Sequence, residues 1–226
     1  MLKLNNFVDE LLDELQSNTI TTICGPPGCG KSTLLFQYSN SCLKQNKKVI
    51  FIDTEGGFSP ERLKQINPEI DLQNIIVLSP KSFEQQSEVI EKLNEEITNN
   101  KNIGLVIIDS LVMLYRLKLG DAPQKINSEL GEQLRLLNEV SRNFDIPILI
   151  SNQIYKDFET KETKMVGGDV TEYWSKTILE IKKEFDVKSL LLRKHKYKKS
   201  GTEIKFEIHN QGLVELNKRS FGFFSK

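Results

Sequence analysis

The chain has 226 residues, and its 31 basic and 31 acidic side chains give a formal net charge of zero. This balance argues against a strong overall attraction to nucleic acid, and no segment approaches the roughly 20 apolar residues of a membrane span. The N-terminus lacks the apolar stretch of a secretory signal, and the three cysteines lack zinc-ligand spacing. We therefore expect a cytoplasmic protein without membrane contact, folded as one domain over residues 1–226.

Strand patterns alternate with helical patterns over the first two thirds of the chain. Strands are predicted over 19–24, 48–53, 74–78, 105–109 and 146–150, and helices over 7–16, 33–38, 82–99 and 128–143. Four later segments are typical of antiparallel strands joined by charged turns: 176–183, 187–193, 202–208 and 212–216. The pattern predicts an α/β fold with a mostly parallel central sheet, helices on both faces and an antiparallel C-terminal extension over about residues 176–216.

The most informative segment, residues 25–32, satisfies G-x-x-x-x-G-K-[ST] at every fixed position. It lies between a predicted strand and a predicted helix, which is the setting of a phosphate-binding loop (P-loop). Lys31 is expected to reach the β- and γ-phosphates of ATP and so joins the catalytic candidates, and Ser32 is expected to bind Mg²⁺. The predicted nucleotide contacts are Gly25, Pro26, Pro27, Gly28, Cys29, Gly30, Lys31, Ser32 and Thr33.

Three further polar residues follow predicted strands. Asp109 ends an apolar strand and is predicted to lie near Mg²⁺, although a strand-end aspartate is often a turn residue. Glu55, beside the P-loop, is a candidate to orient or deprotonate the attacking water, the alternative being a solvated loop acid. Gln153 follows the last parallel strand, where sensing of the γ-phosphate and simple structural capping are equally compatible with the spacing.

Two polar connections and one basic segment are candidates for contact with DNA. The connections span 116–127 and 154–171, at the predicted ligand edge. Residues 182–199 carry eight basic against two acidic side chains, and 194–199 interleave lysines with His195 and Tyr197, which suits phosphate contact and base stacking. A charged hairpin tip would look the same. The candidate residues are Arg116, Lys156, Lys164, Gly167, Gly168, Lys194, Lys196, Lys198 and Lys199.

Five motifs occur in the order seen in the RecA/RadA/Rad51 recombinases, which the chain resembles from about residue 9 to 216. They lie at 25–32, 53–55, 60–63, 107–111 and 151–153. The resemblance, closest to the short archaeal members, implies a P-loop NTPase with a RecA-like ATPase core. It implies that Glu55 is the catalytic glutamate, that Arg62 packs on adenine, and that Gln153 couples the γ-phosphate to the second DNA-binding loop. Residues 154–168 then correspond to that second loop, and 116–127 to the first.

The sequence also departs from the full recombinases of this family. We expect neither an N-terminal helix-hairpin-helix domain nor a polymerisation linker, and Ser59 stands where the family often has an arginine. The resemblance therefore implies an ATP-binding accessory protein of DNA repair and homologous recombination, with weak ATP hydrolysis. Its expected partners are DNA, single-stranded rather than double-stranded, a RadA-type recombinase, other repair proteins and a second copy of itself. Two alternatives remain: a compact DNA-dependent recombinase with strand exchange, and a RecA-like regulatory ATPase that acts only on proteins.

Overall fold

The structure is a computed structural model that describes residues 2–120, 122–156 and 163–216. Strands β1–β10 belong to a sheet ordered β10-β9-β8-β7-β1-β5-β4-β2-β3, with β6 paired to β5. Their bounds are β1 Ile20–Gly25, β2 Lys48–Asp53, β3 Ile75–Leu78, β4 Ile103–Asp109, β5 Ile148–Lys156, β6 Thr163–Met165, β7 Ser175–Glu184, β8 Val187–Lys194, β9 Glu203–His209 and β10 Gly212–Glu215. Strands β1–β5 and β7 run parallel, whereas β8, β9 and β10 extend the sheet antiparallel. The predicted fold class is confirmed.

Helices cover both faces of the parallel part of the sheet. Their bounds are α1 Phe7–Leu12, α2 Lys31–Leu43, α3 Pro60–Ile66, α4 Phe83–Glu91, α5 Leu93–Asn99, α6 Met113–Lys118, α7 Pro123–Phe144 and α8 Gly168–Trp174. Helices α1–α3 pack on the face that contains Phe51, and α4–α7 pack on the face that contains Ile50 and Ile52. This split follows from the alternation of side chains along a strand. Within the described residues, no helix combines the length and the apolar character needed to cross a membrane.

All four predicted helices have different bounds in the structure. Helix α1 ends at Leu12 rather than at residue 16, and α2 spans Lys31–Leu43 rather than 33–38. Helix α7 begins at Pro123 rather than at residue 128, because proline suits the first turn of a helix, and it ends at Phe144, where the capping residue Asp145 has a φ of +52°. The predicted helix over 82–99 is two helices, α4 and α5, that meet at Lys92. Both halves still bury Phe83, Ile90, Leu93 and Ile97 against the same core.

The two polar connections predicted at the ligand edge are more structured than expected. The segment 116–127 is largely helical, because α6 extends to Lys118 and α7 begins at Pro123. In the other segment, β5 continues to Lys156 and its last three residues pair with β6. Helix α8 then begins at Gly168, inside the region predicted as loop. Residues 157–162 lie outside the described part of the chain.

Candidate functional site

Strand order and register bring the predicted catalytic residues to one edge of the sheet, which we call the carboxyl edge. Strand β1, which leads into the P-loop, lies beside β5, and Gly25 pairs with Gln153. Strand β4 lies between β5 and β2, and Asp109 pairs with Asp53. Ligands of open parallel sheets bind outside the carboxyl ends of the strands. The four strand ends therefore form one candidate site.

The P-loop has the conformation that a phosphate cradle needs. Gly28 and Gly30 have φ values of +66° and +112°, which favour glycine. A Cβ atom on Gly30 would also lie 2.7 Å from the Cδ1 atom of Ile208 at the end of β9. The Lys31 ammonium donates to the carbonyl oxygens of Gly25 at 3.1 Å and Pro26 at 2.9 Å. These contacts hold the Lys31 side chain along the P-loop, where it is predicted to reach the phosphates of ATP.

A cavity of about 320 Å³ lies over this loop. Its walls are Pro27, Gly28, Gly30, Lys31, Ser32, Thr33, Glu55, Asp109, Gln153 and Ile208. Nine of these ten residues were predicted from the sequence as nucleotide, metal or catalytic contacts. Of the predicted P-loop residues, Gly25, Pro26 and Cys29 do not line the cavity. Gly25 packs against the Ile181 carbonyl, which lies 2.7 Å from a Cβ atom built on it, and the Cys29 side chain is buried.

Asp109, which was predicted to lie near Mg²⁺, contacts the P-loop through Ser32. It is only 6% exposed. Its Oδ2 atom accepts a 2.7 Å hydrogen bond from Ser32 Oγ, and its Oδ1 atom accepts one from Ser151 Oγ. Burial raises the pKa of Asp109 above its usual value, and the two serine hydrogen bonds oppose that shift. The Ser32 hydroxyl and the Asp109 carboxylate are oxygen donors of the kind that Mg²⁺ binds.

The burial of Asp109 leads to a prediction with two readouts. Replacing Asp109 with asparagine removes a carboxylate whose charged form is disfavoured by burial, while both serines keep a polar partner. We expect the melting temperature without nucleotide to be unchanged or raised by up to about 3 °C. We expect Mg²⁺-dependent ATP affinity to fall at least about tenfold, because charge-assisted contacts are lost. Calorimetric melting and titration with Mg²⁺·ATP measure the two effects, and a variant that binds ATP normally would contradict the metal assignment.

Glu55 is held in a structured turn at the end of β2. The buried Asp53 carboxylate accepts hydrogen bonds from the backbone N–H groups of Gly57 and Phe58, both at 3.0 Å. The exposed Glu55 carboxylate accepts from Ser110 Oγ at 2.6 Å and from Gln153 Nε2 at 3.2 Å. Glu55 and Gln153, predicted independently as base and sensor, are therefore in direct contact.

Gln153 connects Glu55 to the predicted DNA-binding segments. Its Oε1 atom accepts a hydrogen bond from the Arg116 guanidinium at the end of α6. Its backbone carbonyl accepts from the N–H group of Val166 at 2.9 Å. Arg116, Gly167 and Gly168 also line a common cavity of about 530 Å³ at the carboxyl edge. A continuous path of contacts thus joins Glu55, in the wall of the P-loop cavity, to both segments.

Two further candidate DNA contacts, Lys156 and Lys164, belong to the segment 154–171. Lys164 lies on β6, where it pairs with Tyr155 of β5. Lys156 ends β5, and its side chain lies outside the described part of the structure.

Arg62 lies on α3, and its guanidinium contacts the turn between β9 and β10. It donates to the carbonyl oxygens of His209 at 2.7 Å and Asn210 at 3.1 Å. Since Ile208, the neighbour of His209, lies against Gly30, this turn connects Arg62 to the P-loop. The contact is compatible with the predicted position beside the nucleotide base, and base packing itself stays a prediction.

The basic segment 194–199 lies at the opposite edge of the sheet, which we call the amino edge. Strand β8 runs antiparallel to β7, so the turn after Lys194 is distant from the P-loop. Lys198 donates to Asp13 Oδ1 at 2.6 Å, and Lys194 donates to the Glu172 carbonyl at 2.7 Å. Lys196 and Lys199 are exposed. The predicted DNA contacts therefore fall on two separate surfaces.

Comparison with known proteins gives the family of the chain. The profile of the Rad51 family matches residues 5–216. The chain belongs to the Rad51 family. Rad51-family proteins bind nucleotides, as the P-loop of this chain suggests.

Individual relatives agree with this family assignment. The "DNA repair and recombination protein RadB" of Methanococcus maripaludis is 41% identical over 218 residues, which cover 93% of this chain and 98% of the relative. The protein of the same description from Methanosphaera stadtmanae is 38% identical, and the match covers 95% of each chain. A structure described as "Crystal structure of the RadB recombinase" matches with a TM-score of 0.81 and 32% identity, covering 96% of this chain and all of the other. The five sequence motifs predicted a resemblance to short archaeal members of the family, and these RadB relatives agree with that prediction.

Sequence reasoning missed several residues of this Rad51-family site. Ile208 closes the P-loop from a strand about 180 residues away, and Ser151 and Ser110 orient the two acids. Ser110 follows Asp109 directly and Ser151 lies two residues before Gln153, so strand-end position was an available signal, whereas Ile208 had none. Cys29 lies within the P-loop, between Gly28 and Gly30. Its thiol is buried, and burial raises its pKa, which keeps it protonated and unreactive at neutral pH.

Proposed function

We propose that this chain is an ATP-binding protein of DNA repair and recombination that binds DNA or modulates a recombinase of its own family, with slow ATP hydrolysis. The observation that carries this proposal is the contact of Glu55 with Gln153 beside the P-loop. It links a candidate catalytic acid to the segments predicted to contact DNA. The RadB proteins that the chain resembles are described as DNA repair and recombination proteins.

Different residues of the site would bind different parts of Mg²⁺·ATP. Lys31 and the P-loop backbone would hold the phosphates of ATP, and Ser32 with Asp109 would hold Mg²⁺. The metal, when bound, neutralises charge on the phosphate oxygens. Among the described residues, no group of three or more His, Cys, Asp or Glu side chains is placed to hold a metal. Ser32 and Asp109 would supply two oxygen ligands. Two are enough for Mg²⁺, because this ion usually keeps several water ligands and also binds the phosphates of the substrate.

Gln153 is the residue through which nucleotide would affect DNA contact. Its amide nitrogen contacts Glu55, its amide oxygen contacts Arg116, and its backbone holds Val166. A γ-phosphate that attracts the Gln153 amide would change all three contacts together. Nucleotide-dependent rearrangement of a binding segment is a common form of molecular switch. We infer that ATP binding at the P-loop alters DNA affinity at the carboxyl edge.

The second DNA surface, at the amino edge, has its own test. Lys196 and Lys199 are the exposed lysines of the basic turn. In the double variant Lys196→Ala/Lys199→Ala, two phosphate contacts are lost, so we expect the log–log salt slope of single-stranded DNA binding to fall by about 1.4. Lys101→Ala removes an exposed lysine from a turn outside the basic segment and is expected to leave the slope unchanged. Fluorescence anisotropy over a salt series measures both, and equal slopes for all three proteins would reject this surface.

A recombinase with strand exchange is the second candidate, because the solved RadB relative is described as a recombinase. A strand-exchange assay with this chain alone distinguishes the two functions. Product formation that requires ATP would favour the recombinase. Absence of product, together with DNA binding, would favour the accessory role. Absence of any salt-sensitive DNA binding would instead favour an ATPase that acts only on proteins.

A further inference from the structure

Two glutamine side chains are buried where α4 packs against α7. Gln86 is fully buried and Gln133 is 1% exposed, and each lies on the buried face of its helix. The Gln86 Nε2 atom donates to the Gln133 Oε1 atom at 2.7 Å. The Gln86 Oε1 atom is buried and has no hydrogen-bond partner among the described residues. Because an unpaired buried oxygen destabilises a fold that apolar side chains could pack equally well, the packing of α4 on α7 does not by itself explain this pair.

The same Gln86 amide contacts the backbone that carries the site residues. Its Nε2 atom also donates to the Leu111 carbonyl oxygen, at 2.9 Å. Leu111 directly follows Asp109 and Ser110. Asp109 is the acid proposed to hold Mg²⁺, and Ser110 Oγ donates to the proposed base Glu55 at 2.6 Å. The glutamine therefore holds the chain one residue away from the hydroxyl that orients Glu55.

The rest of this backbone segment is held by residues at the ends of the neighbouring strands. The Thr54 N–H group donates to the Asp109 carbonyl at 2.9 Å, and the Leu111 N–H group donates to the Ser151 carbonyl at 3.3 Å. The Thr54 hydroxyl accepts from the Ser110 N–H group at 2.9 Å and donates to the Ser110 carbonyl at 2.7 Å. The sheet thus restrains the carbonyls of Asp109 and Ser110, and α4 restrains the carbonyl of Leu111.

We propose that Gln86 is a positioning residue for ATP hydrolysis, because it fixes the backbone on which Ser110 orients Glu55. This role rests on the proposed function, since it requires Glu55 to be the general base. Exchanging the nitrogen and oxygen of the Gln86 amide would set its oxygen against the Leu111 carbonyl, so the contact also fixes the orientation of the amide. A displacement of about 1 Å in a reacting group can slow a reaction about 100-fold, so loss of this restraint is expected to affect the rate.

The test variant is Gln86→Leu/Gln133→Leu, which removes both amides and keeps the volume of the side chains similar. We expect single-turnover ATP hydrolysis to slow at least about tenfold, while the affinity for Mg²⁺·ATP is unchanged because the P-loop is intact. Its melting temperature should stay close to that of the wild type, since the unpaired buried oxygen of Gln86 is exchanged for that of Leu111. The matched control is Ser87→Ala, because Ser87 Oγ accepts from Gln133 Nε2 at 2.7 Å at the other end of the network. We expect the control to melt about 2–4 °C lower and to hydrolyse ATP at the wild-type rate.

Amide hydrogen exchange over residues 109–112 of the nucleotide-free proteins measures the positioning without hydrolysis. We expect faster exchange of these amides in the double variant and wild-type exchange in Ser87→Ala, because only the double variant releases the Leu111 carbonyl. A wild-type chain that binds ATP without hydrolysing it would reject the hydrolysis in the proposed function, and the exchange data would still decide whether Gln86 holds the segment. Wild-type exchange or wild-type hydrolysis in the double variant would overturn the positioning role. Equal slowing of hydrolysis in Ser87→Ala would also overturn it, since the effect would then follow the stability of the fold.

Discussion

Replacing Lys31 with alanine is expected to weaken ATP binding about 100-fold or more. The ammonium is already positioned on the P-loop by two backbone carbonyls, so it reaches phosphate oxygens with little loss of side-chain entropy. Hydrogen bonds to charged groups contribute about 1.5–3 kcal/mol each, and each 1.4 kcal/mol corresponds to a factor of about ten in affinity. Isothermal titration with Mg²⁺·ATP measures the loss.

Lys44→Ala is the matched control for this experiment. Lys44 is exposed and lies at the opposite end of the same helix, α2, so its replacement removes the same charge without touching the P-loop. We expect its ATP affinity to equal that of the wild type. Unchanged affinity in Lys31→Ala would refute the nucleotide site, and an equal loss in both variants would point to helix stability instead.

Replacing Glu55 with glutamine is expected to slow ATP hydrolysis about 100-fold or more while ATP binding is retained. A positioned general base contributes roughly 10²–10⁴-fold to a rate, and glutamine cannot accept the proton. Its side-chain oxygen can still accept the hydrogen bonds that Ser110 and Gln153 now donate to Glu55. Single-turnover hydrolysis with ATP bound to excess protein separates the chemical step from binding.

The control for Glu55 is Glu69→Gln, which neutralises an exposed carboxylate in the turn after α3. We expect its hydrolysis rate and affinity to match those of the wild type. A Glu55→Gln protein that hydrolyses ATP at the wild-type rate would remove Glu55 from the catalytic role. In that case the contact with Gln153 would be structural only.

The parts of the site that sequence could predict are those that depend on local pattern. The P-loop is a contiguous motif with strand and helix on either side, and Asp109, Glu55 and Gln153 each follow a strand. Because parallel strands end at the same edge of a sheet, these residues were expected to meet, and the register of β1 with β5 and of β4 with β2 brings them together.

The parts that sequence could not predict depend on contacts between distant residues. Ile208 reaches Gly30 only because the C-terminal meander folds back beside α2. Arg116 was predicted as a DNA contact, but its bond to Gln153 depends on the packing of α6 at the carboxyl edge. The basic turn at 194–199 lies at the opposite edge because β8 reverses direction, and charge pattern alone carries no such information.

The central claim is that ATP at the P-loop changes contact with DNA, and the most direct measurement is single-stranded DNA affinity with and without Mg²⁺·ATP. It is made at one fixed salt concentration in the wild type and in Lys31→Ala, since salt alone shifts such affinities. We expect ATP to change the wild-type affinity at least about fivefold, the lower end of typical coupling between two sites, and to leave the Lys31→Ala affinity unchanged. Equal wild-type affinities with and without ATP would contradict the claim.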